Sequence, residues 1–192
     1  MGLCRGCCLY RRGLLVAEEI EIFDVVNEFD VVIGTASREE VHRKEMMHRS
    51  VHLLVFNRRD EVLLQKRSLG KDTYPGTWDS TVSGHVDSGE EYDQCVIRES
   101  SEEMGLELGR VPERMFKIEA CEETGYEFSH IYRHYSEGPF FPNENEISEI
   151  KWFSEEELAA SQLDDSKVFS PAFSLIWGIL TSDSTRRSSK RP

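Results

Sequence analysis

The stretch GHVDSGEEYDQCVIRESSEEMGL, residues 84–106, decides the fold of this chain. It holds seven acidic residues and the single base Arg98, so its side chains repel one another unless positive charge offsets them. No glycine or proline interrupts residues 91–104, and Gly105 follows as a suitable helix C-cap. We therefore predict a helix over residues 91–104.

Three glutamates of this helix share one face, because Glu99, Glu102 and Glu103 are spaced i, i+3 and i+4. Three neighbouring carboxylates can hold a divalent cation such as Mg²⁺, which prefers oxygen ligands. The alternative is an ordinary solvated helix face, which composition alone favours. Residues seven positions earlier on the same face are partly apolar: Tyr92, Cys95 and Val96. The glutamates are therefore expected to point toward the body of the protein.

The same stretch resembles the Nudix box. It has Gly84, five further residues, Glu90, seven further residues, and then the run from Arg98 to Leu106. All seven fixed positions of the family pattern are matched, and only Ser100 departs, at a position where the family prefers an aliphatic residue. The chain is thus similar to Nudix hydrolases. This resemblance implies an α/β fold, a Nudix-type α/β/α sandwich with a mixed sheet.

The resemblance also implies roles for individual residues. The implied metal ligands are the Gly84 carbonyl oxygen, Glu99, Glu102 and Glu103. The ion would be Mg²⁺, or Mn²⁺ in its place, and an ion pair between Arg98 and Glu90 would support the loop before the helix. A carboxylate would take a proton from the attacking water. The candidates for this base are Glu102, Glu103 and Glu127, together with Glu144, Glu146 and Glu149, which also have the ordinary alternative of exposed acids.

The implied activity is Mg²⁺-dependent hydrolysis of a diphosphate linkage, as in a pyrophosphohydrolase acting on acid anhydrides in phosphorus-containing compounds. The expected substrate is a nucleoside diphosphate derivative or another small organic diphosphate. No motif chooses among nucleoside, cofactor, sugar and isoprenoid groups. An alternative is a non-catalytic Nudix sensor or interaction module, although such modules usually lose box residues and this chain retains all the box glutamates.

A second alternative is an enzyme like isopentenyl-diphosphate isomerase. Over residues 20–180 the resemblance is closest to the branch that contains this isomerase and its bacterial hydrolase-like relatives. Three histidines resemble metal ligands of the isomerase: His42, His48 and His85. Ser83, however, stands where the isomerase has its catalytic cysteine, and Gly125 stands where an acidic metal ligand is expected. A hydroxyl has a far higher pKa than a thiol and does not readily move a proton at an allylic carbon, so hydrolysis is the favoured prediction.

Four residues are predicted to contact the substrate. They are Arg67, Lys71, Trp78 and His85. The two bases are scarce positive charges in an acidic chain and suit phosphate groups. Trp78 has an alternative as a core residue. His42 and His48 have an alternative as hydrogen-bonded structural side chains.

The net charge of the 192-residue chain is −13. Residues 1–13 and 183–192 each carry three net positive charges, so residues 14–182 carry −19. A body this acidic repels phosphate, which argues against a nucleic-acid partner. A phosphorylated substrate therefore needs local bases or bridging cations.

The length suits a single domain with a substantial core. No apolar run approaches the ~20 residues that span a bilayer, so we expect a soluble protein without a membrane partner. The five cysteines form no disulfide framework, which indicates a reducing compartment, by default the cytoplasm. A homodimer is compatible with the sequence, which does not determine the oligomeric state.

We predict three segments along the chain. A flexible basic segment with cysteines covers residues 1–18, the Nudix domain covers 19–181, and a disordered basic tail covers 182–192. A strand pair turning at residues 27–30 is followed by a polar connection over 37–44. Further strands are predicted over residues 51–56, 62–65, 78–82, 114–119, 126–135 and 147–153, and further helices over 154–163 and 168–180.

Overall fold

A computed structural model describes residues 20–161 and 168–188 of the chain. The predicted flexible segment over residues 1–18 lies outside the described residues. In the described ranges the strands are β1 (Ile22–Val26), β2 (Val32–Ser37), β3 (His48–Phe56), β4 (Val62–Arg67), β5 (Trp78–Asp79), β6 (Val82–His85), β7 (Glu113–Ile118), β8 (Glu127–Tyr135) and β9 (Ile147–Phe153). The helices there are α1 (Arg38–Arg43), α2 (Tyr92–Met104), α3 (Glu155–Ser161) and α4 (Pro171–Ser188). Within these ranges, no helix has both the length and the apolar character needed to cross a membrane.

A mixed seven-stranded sheet forms the centre of the fold. Its central strand, β3, pairs in parallel with β8 and antiparallel with β6, and only its far end pairs with β4. The first half of β3 therefore lies between β6 and β8. This arrangement brings residues from three distant parts of the chain to one end of the sheet.

The side chains of β3 alternate between the two faces of the sheet. Val51, Leu53 and Val55 pack with α2 in one core cluster, whereas Leu54 and Phe56 pack with α3 and α4 in the other. All five side chains are buried. Because the strand is apolar on both faces, both faces are covered by helices, and the predicted α/β/α sandwich is confirmed.

The predicted box helix forms as α2. Glu91 is its N-cap, and the Glu91 backbone N–H donates to Gln94 Oε1 at 3.0 Å. Gly105 ends the helix at φ 56°, in the left-handed region that favours glycine. Ser100, the one departure from the family pattern, is fully buried, and its hydroxyl donates to the Val96 carbonyl oxygen at 2.6 Å. The hydroxyl is therefore satisfied within the helix.

Two elements before α2 differ from the sequence predictions. Residues 38–43, expected within a polar connection, form the short helix α1, which Ser37 caps. The single strand expected over residues 78–82 is divided into β5 and β6. The division falls at Ser80 and Thr81, whose hydroxyls make hydrogen bonds to other strands. The polar sequence over residues 38–43 suggested a connection, and the sequence over 78–82 suggested one continuous strand. In both places side-chain hydrogen bonds favour the observed structure instead.

The last helix is longer than predicted. It runs to Ser188, beyond Leu180, and so includes residues 182–188 of the predicted disordered tail. The sequence between Leu180 and Ser188 contains no glycine or proline that would end a helix. Residues 189–192 lie outside the described part of the chain.

The strands β1 and β2 form a separate hairpin beside the main sheet. Asp30, near the turn of this hairpin, adopts φ 58°. Its carboxylate accepts hydrogen bonds from Arg49 Nε at 2.6 Å and from the Tyr92 hydroxyl at 3.0 Å, and Lys117 Nζ lies 3.0 Å from it. These contacts join the hairpin to β3, α2 and β7.

We predict that Asp30→Asn lowers the free energy of unfolding by about 2 kcal/mol, because it removes the charge that pairs with Arg49 and Lys117. Burial would raise the pKa of Asp30, but these partners outweigh it and lower the pKa below its ordinary value of 3.8. A carboxylate whose pKa is lowered by folding stabilises the fold above its unfolded pKa and loses this contribution as the pH falls. Urea unfolding should therefore give a difference between wild type and variant that shrinks below about pH 4.

The matched control is Asp60→Asn, at an exposed turn that has the same φ of 58°. This variant should unfold within about 0.5 kcal/mol of wild type at every pH. An Asp30→Asn difference that is small, or that does not change with pH, would contradict the role given to the Asp30 charge.

Candidate active site

A cavity of about 400 Å³ lies where the β1–β2 hairpin, α1, β3, β6, α2 and β8 meet. The residues predicted as metal ligands all line it: Gly84, Glu99, Glu102 and Glu103. Other predicted site residues that line it are Arg67, Lys71, His85, Arg98, Glu127 and Glu146. Topology thus places these residues around one space, although their positions in the chain are far apart.

Glu99 packs directly against Gly84. A Cβ atom added to Gly84 would lie 2.1 Å from Glu99 Cδ, which no real contact allows. The glycine is therefore required for the carboxylate of α2 to approach the backbone of β6. This approach places the Glu99 carboxylate beside the loop that the Nudix box was predicted to form.

Glu103 is almost fully buried at the end of the same helix face. Its Oε2 accepts hydrogen bonds from Gln65 Nε2 at 2.9 Å and from the Ser83 backbone N–H at 3.0 Å. Burial, reinforced by the nearby charge of Glu99, raises the pKa of Glu103 to about 8. Burial also raises the pKa of Glu99 to about 7. A pair of carboxylates this difficult to ionise fits a site completed by a divalent cation, whose charge would stabilise both anions.

Arg98 supports the loop and the glutamates together. Its guanidinium donates from Nε and Nη2 to the two carboxylate oxygens of Glu90, at 3.0 and 2.8 Å. Its Nη1 donates to Glu99 at 2.7 Å and to Glu102 at 3.0 Å. Glu102 is the most exposed of the three box glutamates, at 57% of its side-chain surface. Arg98 thus orients the carboxylates and offsets part of their mutual repulsion.

A second group of ligand atoms lies on the other side of Gly84. His42 of α1, His48 of β3 and His85 of β6 place their ligand atoms within 4.8 Å of one another. Glu127 Oε1 lies 3.1 Å from His85 Nε2 and 3.6 Å from His48 Nε2. The Nε2 atoms of His42 and His48 are buried without a hydrogen-bond partner in the described structure. Such unpaired buried nitrogens fit a metal site better than a purely structural role.

Protonation also suits metal binding at this cluster. Burial, with the neighbouring His85 and His48, lowers the pKa of His42 to about 4, and burial lowers the pKa of His85. Burial would raise the pKa of Glu127, but its interactions with His85 and His48 outweigh this effect and lower the pKa well below 4.5. Neutral imidazoles and an ionised carboxylate are the forms that bind a divalent metal.

The hairpin completes the cluster. The ring of Phe23 stacks on the rings of His48 and His85, with centroids 5.8 and 4.7 Å apart. α1, which directly follows the hairpin, supplies His42. His42 was a candidate ligand from the sequence, but the contact of Phe23 was not anticipated, because nothing in the local pattern places the hairpin against β3 and β6.

The basic residues of the cavity are held by local partners. Lys71 Nζ forms an ion pair with Glu146 at 2.7 Å. Arg67 donates to the carbonyl and hydroxyl oxygens of Thr73, at 3.0 and 3.2 Å. Arg38 was not identified from the sequence, yet it lines the cavity, and its Nη1 lies 3.1 Å from His85 Nδ1. With Arg98, four arginine and lysine side chains among the described residues therefore line a cavity that also contains the carboxylates.

Trp78 was predicted to contact the substrate, but it does not line the cavity. It packs in the core between the sheet and α4, with its ring 5.0 Å from that of Phe153. Trp78 and Asp79 are consecutive residues of β5 and point to opposite faces, so Asp79 lines the cavity instead. Of the weaker candidates for the base, Glu144 and Glu149 are also absent from the lining that the described residues form.

Sequence reasoning also missed polar residues on the cavity side of β3. Ser50 and His52 alternate with the apolar Val51 and Leu53, and both line the cavity. The signal was present in the sequence, because a period of two with polar residues from His48 onward predicts one polar strand face. The apolar character of the strand as a whole obscured it.

We predict that Gly84→Ala weakens the binding of Mn²⁺ roughly 10-fold or more, because the new methyl group must displace Glu99. Isothermal titration of the purified variant with Mn²⁺ measures this effect. Gly109→Ala is the matched control, since a Cβ there meets no atom within 4 Å. Equal affinity in the two variants would show that the Gly84–Glu99 contact is not needed for metal binding.

The chain matches the family model for the NUDIX domain over residues 46–173. It is 35% identical over 147 residues to a Nudix hydrolase of Yersinia pestis, an alignment covering 75% of this chain and 79% of that protein. It is 27% identical over 164 residues to an isopentenyl-diphosphate Delta-isomerase of Clavibacter michiganensis, covering 82% of this chain and 84% of that protein.

Among solved structures, DR0079 from Deinococcus radiodurans is similar to this chain with a TM-score of 0.71 and 27% sequence identity. The similarity covers 81% of this chain and 97% of that chain. The family model begins after α1, so the hairpin and His42 lie outside the matched region.

Proposed function

The chain belongs to the Nudix family of hydrolases, and on this premise we propose that it is a Mg²⁺-dependent pyrophosphohydrolase. Its substrate is a nucleoside diphosphate derivative or another small organic diphosphate, and Mn²⁺ can replace Mg²⁺. The observation that carries the proposal is the pair of buried carboxylates, Glu99 and Glu103, beside Gly84 in a cavity that also holds Arg38 and Lys71. The described cysteines, Cys95 and Cys121, are free thiols, which suits the cytoplasmic location that is part of this proposal.

The Gly84 carbonyl oxygen, Glu99 and Glu102 would hold the cation. When bound, it neutralises the diphosphate oxygens and polarises the phosphorus under attack. Lys71 and Arg38 would bind further phosphate oxygens, with Arg67 supporting the loop around them. Arg98 keeps the carboxylates in place through its bonds to Glu90 and Glu99.

Glu103 is the general base in this proposal. Both of its hydrogen bonds reach Oε2, so Oε1 has no partner among the described side chains and can accept a proton from water. Glu102 is less suited because it is exposed and paired with Arg98, and Glu127 is engaged by His85 and His48. A buried base with a fixed orientation is typical of general-base catalysis.

We predict that Glu103→Gln lowers Mg²⁺-dependent turnover roughly 100-fold or more, because the amide cannot accept the proton. The assay measures release of inorganic phosphate or nucleoside monophosphate across a panel of nucleoside diphosphate derivatives and small organic diphosphates. Glu107→Gln, an exposed change just after the box, is the control and should keep wild-type turnover. Equal turnover of wild type and Glu103→Gln would contradict the assigned mechanism.

The isomerase is the rival function, since one relative in that class is 27% identical to this chain. Ser83 lines the cavity at the position where the resemblance expects the catalytic cysteine, and its backbone N–H serves Glu103. A serine hydroxyl without an adjacent activating base does not exchange protons with an allylic carbon. Hydrolysis does not require this proton exchange, because it uses the carboxylates. The intact box also disfavours a purely non-catalytic module.

The histidine cluster is the second part of the proposal. His42, His48, His85 and Glu127 would hold a divalent transition metal, for which imidazole and carboxylate are suitable ligands. His85 was predicted both to contact the substrate and to resemble a metal ligand, and this proposal takes the metal-ligand role. The metal would fix the hairpin and α1 against the sheet at the edge of the cavity.

We predict that His42→Ala lowers the affinity for Zn²⁺ about 100-fold, because it removes one of three nitrogen ligands. Competition with a chromophoric chelator measures the affinity directly. His134→Ala, on the far end of β8 and outside the cavity, is the control and should bind Zn²⁺ as wild type does. Unchanged affinity in His42→Ala would assign the cluster a purely structural role.

A further inference from the structure

One face of β3 changes from polar to apolar along its length. His48, Ser50 and His52 occupy alternate positions on this face, and Leu54 and Phe56 continue it into the core beneath α4. The change falls where the cavity ends, since Ser50 and His52 line the cavity and Leu54 does not. Ser50 and His52 of this strand therefore form the floor of the cavity.

His52 is the most distinctive residue of this floor. It is 4% exposed, and its Nδ1 lies 3.1 Å from the hydroxyl of Ser80. The Ser80 backbone N–H donates to Asp79 Oδ1 at 2.8 Å, so Asp79, Ser80 and His52 form a continuous chain. Within the described structure His52 Nε2 has no hydrogen-bond partner, and the ring lines the cavity. The ring is thus held by Ser80 through Nδ1, which leaves Nε2 available to a ligand in the cavity.

The neighbours of His52 are also polar. Ser83 stands directly across from it on β6, and the Asp79 carboxylate lines the same cavity with Arg67 Nη1 at 3.7 Å. Trp78 lies in the core and Phe23 is 1% exposed behind the histidine rings, so neither offers much apolar surface to a ligand, whereas Tyr74 and Ala172 do line the cavity. A hydrocarbon group bound here would offer no hydrogen-bonding group to the Ser83 hydroxyl or to His52 Nε2, which disfavours its binding.

We propose that His52, with Asp79 and Ser83, selects diphosphates whose attached group carries hydroxyls, such as a sugar, over those whose attached group is a hydrocarbon. The inference rests on the proposed function, because it assumes that the box holds the diphosphate and that the attached group reaches this floor. Hydroxyl groups can donate to the carboxylate and both donate to and accept from imidazole and serine. A site built to bind a hydroxyl rejects an analogue that lacks it far more strongly than an apolar pocket rejects an extra hydroxyl.

The test compares ribose 5-diphosphate with isopentenyl diphosphate, two diphosphate monoesters with five carbons that differ in their hydroxyls. Phosphate release with Mg²⁺ should give a kcat/KM for the ribose compound at least about 100-fold above that for the isopentenyl compound. His52→Leu should lower kcat/KM for the ribose compound about 10-fold or more and leave the isopentenyl value unchanged. His134→Leu is the matched control and should leave both values as in wild type.

His52 is buried, so a second variant with a smaller change, Ser83→Ala, is included. It should lower kcat/KM for the ribose compound and leave kcat/KM for the isopentenyl compound unchanged. His52→Asn, which keeps a polar side chain, should retain more of the preference than His52→Leu. A wild-type preference for the isopentenyl compound would overturn the inference. Equal losses on both substrates in His52→Leu and Ser83→Ala would overturn it too, since that result describes a structural role.

The experiment distinguishes failure of the proposed function from failure of this inference. If wild type turns over no member of the substrate panel, the hydrolase proposal fails. Where these two compounds are not hydrolysed, calorimetric binding of both intact compounds in the presence of Ca²⁺ decides the inference. Tighter binding of the ribose compound, lost in His52→Leu, would keep the inference in place. Equal binding, or tighter binding of the isopentenyl compound, would overturn it.

Discussion

The contact between Glu99 and Gly84 is the constraint on which the site depends. It brings the Glu99 carboxylate against the backbone of β6. The same helix face places Glu103 in a buried position beside Ser83 and Gln65. Burying two acids so close together is unfavourable unless a positive charge is supplied. Arg98 supplies part of it, and the proposed divalent cation would supply the remainder. The net negative charge of the chain increases the need for positive charge in the site, because a phosphorylated substrate would meet little positive charge elsewhere.

The cavity has two walls of different origin. One wall is the box, which forms a local loop and helix and lies within the region that the family model matches. The other wall is assembled from the hairpin, α1, β3, β6 and β8, and its histidines converge only because β3 pairs with both β6 and β8. The floor between the walls belongs to β3 alone. The box thus lies in the part of the chain that the family model matches, whereas the hairpin and His42 lie outside it.

The sequence predicted features whose physics is local. The box helix, its glycine cap and the carboxylate face follow from spacing within 23 residues, and the sandwich follows from apolar runs on both faces of the strands. Features that depend on distant pairing were not predictable in the same way. Nothing near Asp30 indicates that Arg49, Lys117 and Tyr92 will surround it. Trp78 was predicted to contact the substrate, with the core as its alternative, but one step along β5 turns a side chain to the opposite face, and Trp78 packs in the core. His52 could have been found from the alternation of polar residues in β3, since that signal needs no knowledge of the partner strands.

The histidine cluster can form only when the tertiary fold is complete. Its ligands come from a helix after the hairpin, two strands of the sheet and the start of a third, and 85 residues separate His42 from Glu127. No fragment of the chain that lacks either end of this span contains all four side chains. A molecule can bring them together only after hairpin, sheet and α1 have all docked, so the cluster reports on tertiary assembly and not on secondary structure. A spectroscopically active ion such as Co²⁺ at this position would therefore act as a built-in indicator that separates the finished native state from compact, partly assembled forms.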